Sequence, residues 1–190
     1  MTKKEATTRE RIIAVAQIHF MRDGYHATST RRISQEVGIT QPNLYHHFKN
    51  KEALYVAILE EVAHGALNDL SRIKLQSGTD LAHALIQMTS YLQQTHPFNF
   101  SMMMNDMKKE ISPEASFALY QIFKAAYLQP FIDLFTLHKE KLQSNYEIER
   151  YASHYFLFIS PYLNPDNLSY NPLSIEEIIN FFLYGITNKK

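Results

Sequence analysis

Between Ser29 and Phe48 the chain places two short apolar helical patterns on either side of one glycine, and no other stretch restricts the fold as tightly. Ile33 and Val37 stand four apart and share one helical face, and Gly38 ends that helix because glycine enters the left-handed turn at little cost. Thr40 then caps a second short helix. Leu44 and Phe48 point back inward from it, and Pro42 is harmless there because first-turn amides have no intrahelical acceptor. Upstream, Ile12, Ile13, Ala16 and Phe20 give a helix over Arg9 to Arg22, with Thr8 as its cap and Gly24 just past its end. The pattern is a helix-turn-helix: a supporting helix at Ser29 to Val37, and a helix at Gln41 to His46 or His47 whose geometry suits a major groove.

Gln41, Asn43, Tyr45 and His46 are the residues of that last helix not committed to the core. They can meet base edges and phosphates, and they can equally form a solvated polar face. Charge agrees with the first reading. Residues 1 to 52 carry nine Lys or Arg against five acids, whereas the 190-residue chain is neutral overall, so its remainder is acidic. A basic head on an acidic body suits a module that meets phosphates joined to one that does not.

Composition removes other classes. With 45% hydrophobic and 20% charged residues the chain is too apolar and too balanced to stay disordered. Cysteine is absent, which excludes a disulfide framework, a thiolate metal cage and a cysteine nucleophile. Five glycines leave few of the hinges that strand-and-turn folds use. Uninterrupted apolar runs, such as Ala53 to Leu59 and Tyr155 to Ile159, fall far short of the roughly 18 residues of a membrane span, and the start MTKKEATTRE has no hydrophobic signal region. The expected location is cytoplasmic, with no membrane association. No His pair stands at i, i+4, and His46 and His47 face different sides of a helix, so neither a metal site, a cofactor nor an enzyme is expected.

From Arg9 to Leu59 the text resembles the N-terminal domain of the TetR family of transcriptional regulators. The resemblance is carried by Ile12, Ala16 and Phe20, then Gly24-Tyr25, Thr28 and Ile33, then Gly38-Ile39-Thr40, and then by LYHHFKNKEAL, with Leu44, Tyr45, His47, Phe48, Lys51, Glu52 and Leu54. Polar, glycine and aromatic positions agree as well as core ones. Ser34 departs from the family's usual alanine and His19 from its usual leucine. Ser34 can bond to a carbonyl one turn back and stay buried, and His19 is expected half exposed at the edge of the first helix. The resemblance implies an all-α protein: a helix-turn-helix DNA-binding domain over residues 1–50 and a helical ligand-binding and dimerisation domain over residues 51–190. It implies phosphate contacts from Thr28, Tyr45, His47 and Lys51, and base reading by Gln41, Asn43 and His46. Lys3 and Lys4 are either a flexible arm reaching DNA or a solvated tail.

In the body, a helix runs from an Asn50 cap to about Leu75, and another opens at Thr79 and Asp80 and ends before Pro97. Further helices are expected at Phe98 to Lys109, Pro113 to His138 kinked or split by Pro130, Ile148 to Leu163, and Ser174 to Thr187 behind a Ser174/Glu177 capping box. Of 24 Tyr and Phe residues, 19 lie from Tyr91 onward. Phe98, Met102, Met103, Met107, Phe117, Tyr120, Phe123 and Tyr127 are soft, bulky candidates for a hydrophobic pocket, or simply core. Asp106, Glu110 and Asp133 beside them would suit a cationic amphiphile unless they are solvated. Tyr151, Tyr155, Phe158 and Tyr162 on one helix and Ile175, Ile178, Ile179, Phe182 and Ile186 on the next are the expected homodimer interface. The expected function is a ligand-responsive regulator: a dimeric repressor released from a palindromic operator in double-stranded DNA by a small hydrophobic effector. The rival is a hydrophobic-ligand carrier or sensor that works without DNA, which leaves the first 50 residues unexplained.

Overall fold

Periodicity in this chain translates into helix after helix. The computed structural model describes residues 6–76, 80–95, 100–143, 145–163 and 173–186. In order they form α1 (Thr8–Ala27), α2 (Thr30–Val37), α3 (Gln41–His47), α4 (Lys51–Gln76), α5 (Leu81–Thr95), α6 (Phe100–Lys109), α7 (Pro113–Phe123), α8 (Gln129–Leu137), α9 (Ile148–Ile159) and α10 (Ile175–Ile186). None of these helices is long and apolar enough to cross a membrane. Lys3, Lys4, the Ser77-Gly78 break, Phe98 and Pro165 lie outside the described residues, as does the side chain of Ile186.

The helix ends follow local chemistry. α1 is capped by Thr7 rather than Thr8, in a capping box: Thr7 Oγ1 accepts from the Glu10 amide at 3.3 Å, and Glu10 accepts from the Thr7 amide at 2.7 Å. The helical path breaks at Gly24, whose φ of 75° only glycine adopts without strain; an added Cβ there would also lie 3.1 Å from Met102 Sδ. Asn50 Oδ1 caps α4 through the Ala53 amide at 2.8 Å, and Ser174 with Glu177 forms the expected box on α10. Pro130 does not kink a continuous helix where it stands. Its ring and missing N–H are absorbed by a π turn at Lys124–Leu128, after which α8 starts with the proline in its first turn. A 3₁₀ turn at Ser160–Leu163, holding Pro161, likewise ends α9 earlier than the periodicity suggests.

Contacts group the chain into two units, Met1–Val62 with Met102–Tyr120, and Ala63–Ser101 with Gln121–Lys190. In the first, Ile12, Ala16 and Phe20 of α1, Ile33 of α2, Leu44 of α3 and Leu54, Tyr55 and Ile58 of α4 are almost wholly buried. Ser34 is buried as expected, its Oγ donating to the Thr30 carbonyl at 2.9 Å. His19 is not half exposed: it is buried, with Nε2 2.8 Å from Glu36 Oε2, because an imidazole with a carboxylate partner can occupy a core edge. In the second unit, Tyr155 centres an aromatic cluster with ring centroids of Phe131, Phe135 and Phe182 at 5.2, 5.9 and 4.9 Å. Its hydroxyl is paired with Thr89 Oγ1 at 2.6 Å.

Burial pushes the Tyr25 phenol up to about 12, and raises those of Tyr55, Tyr127 and Tyr155 as well. The folded chain therefore holds these protons more tightly than the unfolded chain. Stability is at its full value below about pH 10 and falls as pH rises beyond it. In an alkaline titration followed by phenolate absorbance and far-ultraviolet circular dichroism together, these four phenols should ionise only in the step that unfolds the chain. Ionisation of all twelve tyrosines in a chain that stays folded would contradict the burial.

Candidate nucleic-acid interface

Five hydrogen bonds fix the helix-turn-helix before any partner arrives. Ser29 Oγ caps α2 through the Arg32 amide, and Thr40 Oγ1 caps α3 through the Asn43 amide, each at 3.4 Å. At the turn, Gly38 has φ 78°, its N–H bonding the Gln35 carbonyl at 3.1 Å while the Ile39 N–H bonds that of Ser34 at 2.9 Å. The Arg11 guanidinium donates to the Val37 carbonyl, tying α1 to the last turn of α2. With Leu44 and Phe48 buried beneath it, α3 presents Asn43, Tyr45 and His46 outward, while Gln41 and His47 are half-buried. The His46 and His47 rings meet edge to face at 5.9 Å. A short helix so anchored is a rigid carrier of hydrogen-bonding groups at the width of a groove.

Residues 12–58 match the family described as bacterial regulatory proteins, tetR family. Over those residues the chain matches that family's N-terminal domain. In that stretch it is similar to the HTH-type transcriptional regulator QacR of Staphylococcus aureus, 41% identical over 51 residues, covering 27% of this chain and 27% of QacR. The match spans about a quarter of that relative's length. Over nearly the whole chain the fold is that of a TetR-family transcriptional regulator from Agrobacterium tumefaciens, with TM-score 0.76 at 17% identity, covering 95% of this chain and 98% of that one. It is also that of the transcriptional regulator FadR from Bacillus subtilis in complex with stearoyl-CoA, with TM-score 0.70 at 16% identity, covering 92% and 95%.

Within this tetR-family domain two of the expected phosphate contacts have other work. Thr28 is 4% exposed and its Oγ1 donates to the Gly24 carbonyl at 2.7 Å, so its only proton closes the turn after α1. The exposed hydroxyl at the start of α2 belongs to Ser29, which as a cap accepts and keeps its proton for an outside acceptor. Its place three residues before Arg32 is the sequence signal that marks it. Lys51 Nζ donates to the His26 carbonyl at 3.2 Å and lies 4.5 Å from the centre of the Tyr25 ring. Burial lowers its pKa, opposed by Asp106 and Glu110, and two of its three donors remain for a phosphate. Lys51→Met is therefore expected to flatten the dependence of log affinity on log salt by about 0.9 for each phosphate that Lys51 neutralises. An unchanged slope in a salt titration would confine Lys51 to its role at the end of α1.

Asp106 is buried in the first unit, and its Oδ2 accepts from the Tyr25 amide at 3.0 Å and the Tyr55 hydroxyl at 3.2 Å. Beside it Glu110 pairs with His26 at 3.0 Å, and Glu52 accepts from the Ser112 amide and hydroxyl at 2.7 and 2.9 Å. Asp133 is exposed and pairs with Lys74 in the second unit, at 2.9 Å. The expected pocket residues fall in both units. Met102, Met103, Met107, Phe117 and Tyr120 belong to the first unit, where Met103 and Met107 are core and Phe117 and Tyr120 are exposed. Phe123 and Tyr127 belong to the second, with rings 5.9 Å apart and Phe123 edge-on to Phe156 at 5.0 Å.

The expected interface residues also divide. Tyr151, Tyr155, Ile178 and Ile179 are buried inside the second unit, and Phe158, Tyr162, Ile175 and Phe182 are half-buried. Among the described residues, the large apolar side chains that α9 and α10 leave exposed are Leu157, Phe181 and Tyr184, none of them among the expected interface residues. Both stripes follow the helical period, and the period alone does not say which one faces the core.

Proposed function

We propose that this chain is a dimeric, sequence-specific DNA-binding regulator of transcription, a repressor released from a palindromic operator by a small hydrophobic effector. The observation that carries the DNA-binding part is the outward face of α3, where Asn43, Tyr45 and His46 stand on a helix capped by Thr40 and anchored by Leu44 within a tetR-family domain. A helix of seven residues reads few base pairs, so a two-fold pair of heads supplies the missing specificity. The exposed Leu157, Phe181 and Tyr184 support a partner copy on α9 and α10. The aromatic wealth of the second unit, and the acyl-CoA held by a protein of the same fold, support a hydrophobic effector.

Release then follows from linkage. An effector that binds one arrangement of the paired heads better than another weakens operator binding by that same difference, typically about 1 to 3 kcal/mol. Fluorescence anisotropy on a labelled operator duplex tests both halves. We expect two chains per duplex and displacement by a long-chain acyl or aromatic amphiphile. One chain per duplex would remove the dimer, and displacement by no such compound would remove the effector.

A further inference from the structure

We propose that Thr30, on the supporting helix, decides which way the Gln41 amide faces DNA, through a hydrogen-bond relay from Gln41 through Thr30 to Tyr45. This rests on the DNA-binding reading above and assigns it a residue that itself touches no base. Thr30 is buried in the first turn of α2, and its Oγ1 lies 3.0 Å from Gln41 Nε2 and 3.0 Å from the Tyr45 hydroxyl. The capping of α2 is done by Ser29, so the Thr30 hydroxyl has no duty at the helix end.

Gln41 Nε2 can only donate, so Thr30 Oγ1 accepts there and keeps its single proton to give elsewhere. Between Thr30 and Tyr45 either hydroxyl can be the donor. A phosphate that takes the Tyr45 proton settles the order: Tyr45 then offers only lone pairs, and Thr30 donates to it. Chains of this kind strengthen each member. On Gln41 one amide hydrogen is used, and the other, with Oε1, forms the donor–acceptor pair that matches N7 and the N6 amino group of adenine. Without the Thr30 hydroxyl the amide can turn over at little steric cost and present the pair reversed, because its oxygen and nitrogen ends are nearly the same size.

The test is selection of random duplex DNA with the full chain, its Thr30→Val, Thr30→Ser and Gln41→Ala variants, and the Thr30→Val/Gln41→Ala double variant. Valine keeps the shape of Thr30 and removes the hydroxyl. The expected wild-type result is an adenine preference at one base pair per half-site, erased by Gln41→Ala. Thr30→Val lowers the preference at that same pair by about tenfold, within the range one bidentate contact supplies. Thr30→Ser restores it, and Thr30→Val adds nothing when Gln41 is already alanine. A Thr30→Val preference identical to wild type overturns the assignment, and so does a uniform loss over all sequences, which a merely structural role would produce. Should Thr30→Val not fold, Tyr45→Phe cuts the relay from its exposed end and is expected to relax the same base pair; preference unchanged there overturns the proposal equally. If the wild-type chain enriches nothing, the DNA-binding reading falls and this one with it. If it enriches a palindrome that the relay variants leave intact, Thr30 alone is wrong.

Discussion

Replacing Phe181 with glutamate is expected to turn the proposed dimer into monomers and to lower operator affinity by about 100-fold, the scale expected when two linked contacts become one. Phe181 is 71% exposed, and with Leu157 at 68% and Tyr184 at 81% it forms the apolar surface that α9 and α10 do not spend on their own unit. A carboxylate there costs the folded monomer little, because the side chain already faces water. Facing the same surface of a second copy it must be desolvated without a cation, and pairing fails. Phe182, next in the chain, is the control: its ring lies 4.9 Å from that of Tyr155 and 6.4 Å from that of Phe135, so Phe182→Glu should unfold the second unit instead. Sedimentation velocity separates the outcomes. A Phe181→Glu variant that is still a dimer would place the interface elsewhere.

Asp106→Ala should destabilise the first unit by roughly 3 kcal/mol, because alanine leaves one buried and one partly buried donor without this acceptor and each such orphan costs about 1 to 3 kcal/mol. The carboxylate accepts from the Tyr25 amide at 3.0 Å and the Tyr55 hydroxyl at 3.2 Å, and it is buried. The Tyr25 N–H belongs to the irregular backbone just after Gly24. Asp106→Asn should recover part of the stability, since its carbonyl oxygen can still accept. Urea unfolding with hydrogen exchange at the Tyr25 amide measures this. A destabilisation under about 1 kcal/mol, with that amide still protected, would show that Asp106 holds nothing together.

What was legible in the sequence was legible locally. Gly38, Thr40 and the Ser174/Glu177 box act within one turn of chain, and the structure has them where periodicity and capping put them. Pro130 announced a disturbance but not its form, because a π turn depends on how the preceding residues pack. Tyr155 and Leu157 lie two positions apart on α9, yet one is core and the other exposed; apolar spacing gives a stripe its period and not its partner. Asp106 was illegible for a different reason. Its two donors are 81 and 51 residues away, and nothing near it in the chain says that residues 102–120 pack with the first 62. Thr28 and Thr30 show the same limit on a smaller scale. Either could have met a phosphate by type, and their hydroxyls are taken by Gly24 in one case and by Gln41 and Tyr45 in the other.

The central claim is that the α3 face reads DNA as one half of a symmetric pair. Selection of random duplex DNA on the purified full chain, at one stated salt concentration, tests it most directly, because phosphate contacts make affinity steeply salt-dependent. The expected result is enrichment of a palindrome whose half-sites repeat about one helical turn apart, and disappearance of that enrichment with Asn43→Ala and Gln41→Ala together. A folded, dimeric chain that enriches no sequence would contradict it.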